Sequence, residues 1–452
     1  MVSDLKLDDG SRVGVMGGGP AGSFFSYFLL QIAQRMQLDL NVDIYEARDF
    51  SLAAPQGCNM CGGIISESLV QNLAAEGINL PSSVVQRGLD SYFLHMDVGS
   101  VRIETPLQEM RIAAVHRGCG PRGIKEELKV RGFDGYLLDL ALAKGAKLIR
   151  KRVDGVGWEN GRPWLKTPDG SKATYDLLAV AVGVNTSAMR LFEGLNLRYQ
   201  PPRSTKTHIR EFFLGRETIK KYLGSSMHVF LLNIPRLEFA ALIPKGDYVT
   251  LCLLGHDIDK QLIESFIGSS EVKHCLPPNW EPPADFCHCA PKISIKGAVE
   301  PFADRMVFAG DCGVTRLYKD GIGAAYRTAK AAAITAVFEG IAAEDFRRHY
   351  WPVCQAVTSD NRIGELVFAA ARQIQKRRFA RRGMLRMVEK EQKEKGSRRR
   401  MSSVLWDTFT GSAPYQQVFL RTLHPAFISR LVWDIAVGNM PFGKTQEPGR
   451  MQ

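Results

Sequence analysis

A chain of 452 residues is longer than one ordinary domain, and 45% hydrophobic against 23% charged residues is the composition of a globular protein with a sizeable core. The net charge of +12 is not spread evenly: residues 372–400 carry 13 Lys and Arg against 3 Glu, which points to an anionic surface such as phospholipid headgroups ahead of nucleic acid. No run of 18 apolar residues is present and the opening MVSDLKLDDG has no apolar centre, so neither a membrane span nor a secretory signal is expected.

In chain order, Arg12–Met16 reads as a short buried strand running into Gly17-Gly-Gly-Pro-Ala-Gly22, with helix-like residues from Ser23 to Met36. The spacing is G-x-G-x-x-G. Gly17 permits the tight turn, Gly19 lets backbone approach a pyrophosphate, and Gly22 allows close packing of helix on strand. Beside Pro20 and Ala21, the helix N-terminus offers unpaired N–H groups and a partial positive charge. A second strand, Val42–Tyr45, ends in Glu46, 24 residues past Gly22, where a carboxylate can accept hydrogen bonds from a ribose diol. Strand, turn, helix, strand and acid in this order predict a dinucleotide site.

Gln56–Ser66 follows, with Cys58 and Cys61 in a C-x-x-C and then Gly62 and Gly63. Period-two alternation between Val84 and Val115, as in Ser91–Asp97, recurs at Met227–Asn233, Glu238–Ile243 and Tyr248–Leu254. It predicts half-buried strands of an antiparallel sheet, whose Phe, Leu and Tyr side chains suit a lipid or quinone. Arg131–Ile149 reads as a helix. Tyr175–Gly183 reads as a buried strand, with Val182 just before Gly183. Asp304–Asp311 is a further buried strand ending in Gly310-Asp311. Lys319–Ala333 then opens with Gly321-Ile322-Gly323 and continues as an Ala-rich helix.

This last block resembles the second FAD fingerprint of the glutathione-reductase-type fold, shared by p-hydroxybenzoate hydroxylase and its relatives. The resemblance implies that Asp311 binds the ribityl chain and that the Gly321–Gly323 helix start faces the flavin pyrimidine edge. A helix N-terminus there would stabilise the charge of reduced flavin. With two fingerprints nearly 290 residues apart, FAD is the expected cofactor.

Four motifs over residues 10–345 resemble the geranylgeranyl reductase family: the glycine loop, Cys61-Gly62-Gly63, Arg131-Gly-Phe-Asp134 and the Gly-Asp block. That match implies that Cys61 lies near the reacting face of the flavin and that Arg131 contacts FAD. Gly62 and Gly63 would let substrate approach closely, and Lys319, if it points inward, would favour the anionic reduced flavin. One departure is Val182, where flavin hydroxylases carry an acid before the glycine corresponding to Gly183. It weakens the case for a hydroxylase reduced directly by NADPH. Cys312 stands where alanine is usual, and packing is its expected role.

Nine cysteines, an odd number, fit a reducing cytoplasm better than a disulfide framework. Cys61 is read as assisting proton delivery or substrate positioning. An alternative brings Cys58, Cys61, Cys287 and Cys289 together on a cluster or zinc, although no standard spacing is present and no metal is expected. The bland reading is buried thiols acting as small apolar groups.

From Phe346 onward the pattern is helical. Arg372–Arg386 mixes arginines with Ile374, Phe379, Met384 and Leu385, as a basic amphipathic helix does, and Val404–Phe409 and Phe427–Val437 add Trp and Phe. These features predict a peripheral anchor on the inner face of a membrane, each basic residue contributing about 1 kcal/mol near anionic lipid. The alternative is a helical cap with a solvated basic face.

The expected architecture is α/β: a Rossmann-type FAD-binding domain of the glutathione-reductase type, an inserted antiparallel-sheet substrate domain and a C-terminal helical region. FAD-binding parts fall at 10–83, 125–194 and 291–345, substrate parts at 84–124 and 195–290, and the basic helical region at 346–452. The expected activity is FAD-dependent reduction of carbon–carbon double bonds in an isoprenoid or other lipid-like substrate. Flavoprotein:quinone electron relay is the alternative, with a monooxygenase or a non-catalytic flavin scaffold behind it. The electron donor stays open among NAD(P)H, ferredoxin or another source; no nucleic acid partner is expected, and the expected location is the cytoplasm.

Overall fold

The computed structural model of the chain describes residues 5–105, 112–282, 287–394 and 399–440. Two compact units share it, each assembled from three stretches: 1–59, 116–205 and 292–359 in the first, 60–115, 206–291 and 360–452 in the second.

In the first unit, apolar runs too short for helices form a sheet ordered Phe302–Ala303, Met306–Phe308, Leu177–Val180, Arg12–Met16, Asn41–Tyr45, Lys147–Ile149. All neighbours are parallel except the Phe302–Ala303 edge. Parallel strands need crossovers; helices Pro20–Arg35 and Phe133–Ala143 lie in two of them, and helix Gly321–Phe338 follows the last strand. Helices Pro20–Arg35 and Gly321–Phe338 pack through Phe24 and Phe28 against Tyr326, edge to face at 5.5 and 5.6 Å. A three-stranded antiparallel sheet, Gly155–Glu159, Arg162–Lys166 and Lys172–Thr174, leads into Tyr175. That ring lies where a side chain on Gly14 would be, 2.8 Å from its Cβ position, so the central strand needs glycine there.

The predicted strands are present, with ends up to three residues shorter than expected, as at Leu177–Val180 and Met306–Phe308, and the first helix starts earlier than expected, at Pro20. Arg131–Ile149 is not one helix. Gly145 takes φ +110°, which stops the helix, and Lys147–Ile149 leaves as the sheet's edge strand.

The second unit is built on a seven-stranded sheet: Cys287–Cys289, His208–Phe213, Tyr248–Gly255, Leu237–Lys245, Ser226–Phe230, Ser91–Met96, Gly99–Glu104. It is antiparallel save for one pair, Ser226–Phe230 beside Ser91–Met96, which come from separate stretches of chain. One face packs on helices Lys260–Ile267 and Ser270–Lys273 through Phe230, Leu242, Leu251 and Phe266. On the opposite face, Tyr92 stacks on Trp406 at 5.6 Å, and Phe239 meets Phe368 and Phe409. The C-terminal helices therefore complete this unit's core, and much of 346–452 is no separate tail. The unit begins at Met60, ahead of residue 84, because Ile64–Ile65 pairs with Ile112–Val115. Part of the basic run, 395–398, lies outside the described residues. No described helix is long and apolar enough to cross a membrane.

Candidate functional site

The glycine loop sits at the C-terminal end of the central strand of the first unit. Gly17 holds φ +106°, and a side chain there would reach within 2.6 Å of the Ala181 carbonyl. A Cβ on Gly22 would fall 1.8 Å from the Gly17 oxygen, so neither position admits another residue. Over Gly19 the space is open except for the Asn59 amide, 3.2 Å from a would-be Cβ. Glu46 ties the loop to its strand, accepting from the Gly18 N–H at 3.0 Å and the Arg48 N–H at 2.8 Å. The helix opening at Pro20 and Ala21 has no side-chain cap and no acid in its first turn, leaving its N–H groups and positive end for an anion.

The second fingerprint packs on the first. Gly310 takes φ +71°, and its Cβ position is 2.6 Å from Ala21. Asp311 lies beside the start of the second glycine helix: its Oδ1 is 3.6 Å from the Cβ position of Gly321. Burial raises the Asp311 pKa, with a Thr315 hydrogen bond and the Arg117 charge pulling it back. The Gly321–Phe338 helix likewise starts without a side-chain cap or an acid in its first turn. Ile322 is buried in that turn, and Gly323 leaves room for Asp320, which pairs with Arg327 at 2.9 Å and Arg316 at 3.4 Å. Lys319 is half-buried just before it. Gly183 takes φ +70° after the Leu177–Val180 strand. Cys312 packs as expected, donating to the Val180 and Ala309 carbonyls at 3.2 Å, and burial pushes its thiol up to about 12.

Arg131 is not brought to this cradle. It lies on the surface, paired with Asp139 at 2.6 Å and stacked over Tyr136. Within the same motif it is Asp134 that points inward, fully buried. It accepts two hydrogen bonds from buried Arg117, Nε at 2.6 Å and Nη2 at 3.0 Å, and a third from the Asn59 amide, whose oxygen accepts from Arg48. The chain Arg48–Asn59–Asp134–Arg117 thus links the residue next to Glu46 with the charge that acts on Asp311. Sequence reasoning missed Asn59 and Arg117. The available signal was a lone arginine directly after the apolar strand Ile112–Val115.

In the second unit, Cys61-Gly62-Gly63 lies against one face of the large sheet. Gly62 packs where a Cβ would be 3.0 Å from Cys252 Sγ. Gly63 holds φ +69°, with its Cβ position 2.1 Å from the Val115 carbonyl and 2.8 Å from Lys245 Nζ. Gly63 is therefore structurally obligatory, whereas Gly62 is only tightly packed. Cys61 Sγ accepts the Gly63 N–H at 3.4 Å. Lys245, 2% exposed, faces Glu211 at 3.5 Å, and Glu211 accepts from Thr250 at 2.9 Å. A buried cation with its carboxylate beneath this segment was not anticipated.

The four cysteines of the cluster alternative do not assemble. Among the described residues no three of them bring their sulfurs within metal-ligand reach of one another, and Cys287 and Cys289 lie on the edge strand, opposite Glu211 and Ile209. Among the described residues, the one His, Cys, Asp and Glu group close enough to hold a metal is His95, His228 and Cys275. It forms a closed hydrogen-bonded chain instead. The Leu223 carbonyl can only accept, so His228 Nε2 carries the proton (3.2 Å) and its Nδ1 accepts from His95 Nε2 at 2.9 Å. Ser100 Oγ donates to His95 Nδ1 at 2.7 Å. Burial lowers both imidazoles, His228 to about 4, and lifts the Cys275 thiol to about 12, so all three are neutral.

No family profile matches the chain, and no curated protein does. Solved structures do. A geranylgeranyl bacteriochlorophyll reductase-like protein from Thermoplasma acidophilum is 15% identical, covering 95% of this chain and 97% of its own, with a TM-score of 0.54. A flavoprotein/dehydrogenase from Cytophaga hutchinsonii is 13% identical over 96% and 100%, TM-score 0.60. The halogenase PltM, in a form solved in complex with FAD, is 12% identical over 95% and 91%, TM-score 0.59. At these identities the likeness is one of fold, and the chain has the fold of FAD-binding flavoproteins.

Proposed function

We propose that this chain is an FAD-dependent oxidoreductase that reduces carbon–carbon double bonds of an isoprenoid or other lipid-like substrate. The observation that carries the cofactor is the pair of helix N-termini at Pro20 and Gly321, neither closed by a side-chain capping hydrogen bond, with Glu46 beside one and Asp311 beside the other. These residues fit FAD. Gly17, Gly19 and Gly22, with Pro20 and Ala21, would receive the pyrophosphate, Glu46 a ribose, Asp311 the ribityl chain, and Gly321–Gly323 the pyrimidine edge. In this reading Arg117, whose charge acts on Asp311, takes the role expected of Arg131. Gly183 completes the set. Bound flavin would supply hydride chemistry.

The reductase reading is supported by the resemblance at Cys61-Gly62-Gly63 and by the glycine that the backbone demands at Gly63. Saturating an alkene takes a hydride on one carbon and a proton on the other. Cys61 Sγ holds that proton and regains it from solvent. Lys245 fixes the segment from below, and Lys319 adds positive charge next to the second glycine helix. The reducing equivalents come from a separate donor, NAD(P)H or a ferredoxin-type protein.

The test reconstitutes the protein with FAD, reduces it anaerobically and adds geranylgeranyl diphosphate. The expected product gains two hydrogens per reduced double bond. Quinone reduction without saturation would support the electron-relay reading instead, an added oxygen in air would support a monooxygenase, and failure to bind FAD would remove the proposal altogether.

A further inference from the structure

The helix Pro425–Gly438 is turned the opposite way from a helix on a water-facing surface. Its one acid, Asp434, is fully buried and held by Lys390 at 2.7 Å and Arg386 at 3.2 Å. Phe427 is buried as well, but three large apolar side chains point out: Trp433 is 63% exposed, Val432 60% and Ile428 47%. With Pro425 and Ala436, also exposed, they form a stripe at helical spacing. Exposed Leu420 and Leu423 continue it at the preceding helix, Tyr415–Thr422, and Met440 at its end. Monomeric proteins rarely leave so continuous an apolar face in water.

The expected basic amphipathic stretch Arg372–Arg386 is not one helix: it breaks at Arg377 between Trp351–Lys376 and Arg378–Lys393, and the apolar face of the latter is already used. Met384, Leu385, Met387 and Val388 are buried. Gly383 lets this helix close on Pro425–Gly438, its Cβ position 2.3 Å from Ile435. Asn439 donates to the Phe379 carbonyl at 3.2 Å, so the exposed start of the basic helix sits at the end of the apolar stripe. Phe379 is exposed there, together with Lys376, Arg377, Arg378 and Arg382.

We infer that Pro425–Gly438 is a membrane-docking helix that lies flat on an anionic lipid surface, with Ile428, Val432 and Trp433 inserted and the Lys376–Arg382 cluster over the headgroups. An apolar stripe bordered by cations matches the boundary between acyl chains and anionic headgroups. Val404–Phe409 takes no part, since Trp406 is buried and donates to Glu67 at 3.0 Å. This inference is independent of the flavin reading.

The experiment sediments the full chain, with its bound flavin, on vesicles of phosphatidylcholine alone or mixed with phosphatidylglycerol. The expected result is binding to the mixed vesicles that weakens with salt. The double variant Val432→Asp/Trp433→Asp should bind at least about tenfold more weakly. Its flavin spectrum and melting temperature should not change, because both side chains point away from the core. Arg378→Gln/Arg382→Gln should reduce binding only where the vesicles are anionic. Wild-type protein that fails to sediment with anionic vesicles overturns the inference, as does an unaffected aspartate variant. A dimer that this variant makes monomeric, without vesicle binding, would assign the stripe to a second copy of the chain.

Discussion

Replacing Arg117 by Met separates a buried ion pair from a surface one within the same stretch of the first unit. The Arg117 side chain is 8% exposed and Asp134 0%, and two hydrogen bonds of 2.6 and 3.0 Å join them. Without the guanidinium, Asp134 keeps the Asn59 amide but has no countercharge. Removing one partner of a buried pair costs about 3–5 kcal/mol, two to nearly four powers of ten in the folding equilibrium. Arg131 and Asp139 are 46% and 56% exposed, and Arg131→Met should cost no more than about 1 kcal/mol. The double change Arg117→Met/Asp134→Leu removes both charges and should recover much of the loss. Urea unfolding of the apoprotein measures all three, and quenching of flavin fluorescence measures FAD affinity, which should fall for Arg117→Met alone among the single variants. The reasoning fails if Arg131→Met is the costlier change, or if Arg117→Met costs under 1 kcal/mol and the double variant recovers nothing.

Two further outcomes are expected. Cys61→Ser and Lys245→Met should each lower turnover while FAD affinity stays at the wild-type value, since neither is among the residues proposed to hold FAD; normal turnover in both would withdraw the role given to that segment. Burial holds His228 neutral down to about pH 4, whereas an unfolded histidine takes up a proton below about pH 6.5. His228 alone should therefore contribute fully above that pH and lose about 1.4 kcal/mol per pH unit as pH drops through the window, with His95, lowered likewise, adding to the fall. Urea midpoints at pH 7, 6 and 5 should show the decline in wild type and a flatter profile in His228→Phe; equal slopes would show that the buried histidine chain does not set the acid response.

The sequence by itself determined the features that rest on local rules. Gly17, Gly19 and Gly22 are legible because a tight turn and a close approach exclude side chains; Gly17 and Gly22 prove sterically enforced, while the space over Gly19 is open but for the Asn59 amide. Strands such as Arg12–Met16 and Tyr248–Gly255 follow from short apolar or alternating runs. Tertiary structure decided which member of a motif is used. Arg131 and Arg117 differ little as sequence, but only Arg117 has a buried carboxylate across from it, and burial decides what a charge is worth. The same holds for the tail. Its arginines, tryptophans and leucines predict amphipathic helices, yet periodicity does not say which apolar face finds a partner. Packing buried Trp406 and Met384 and left Trp433 and Val432 outside, because Asp434 is pinned inward by Arg386 and Lys390.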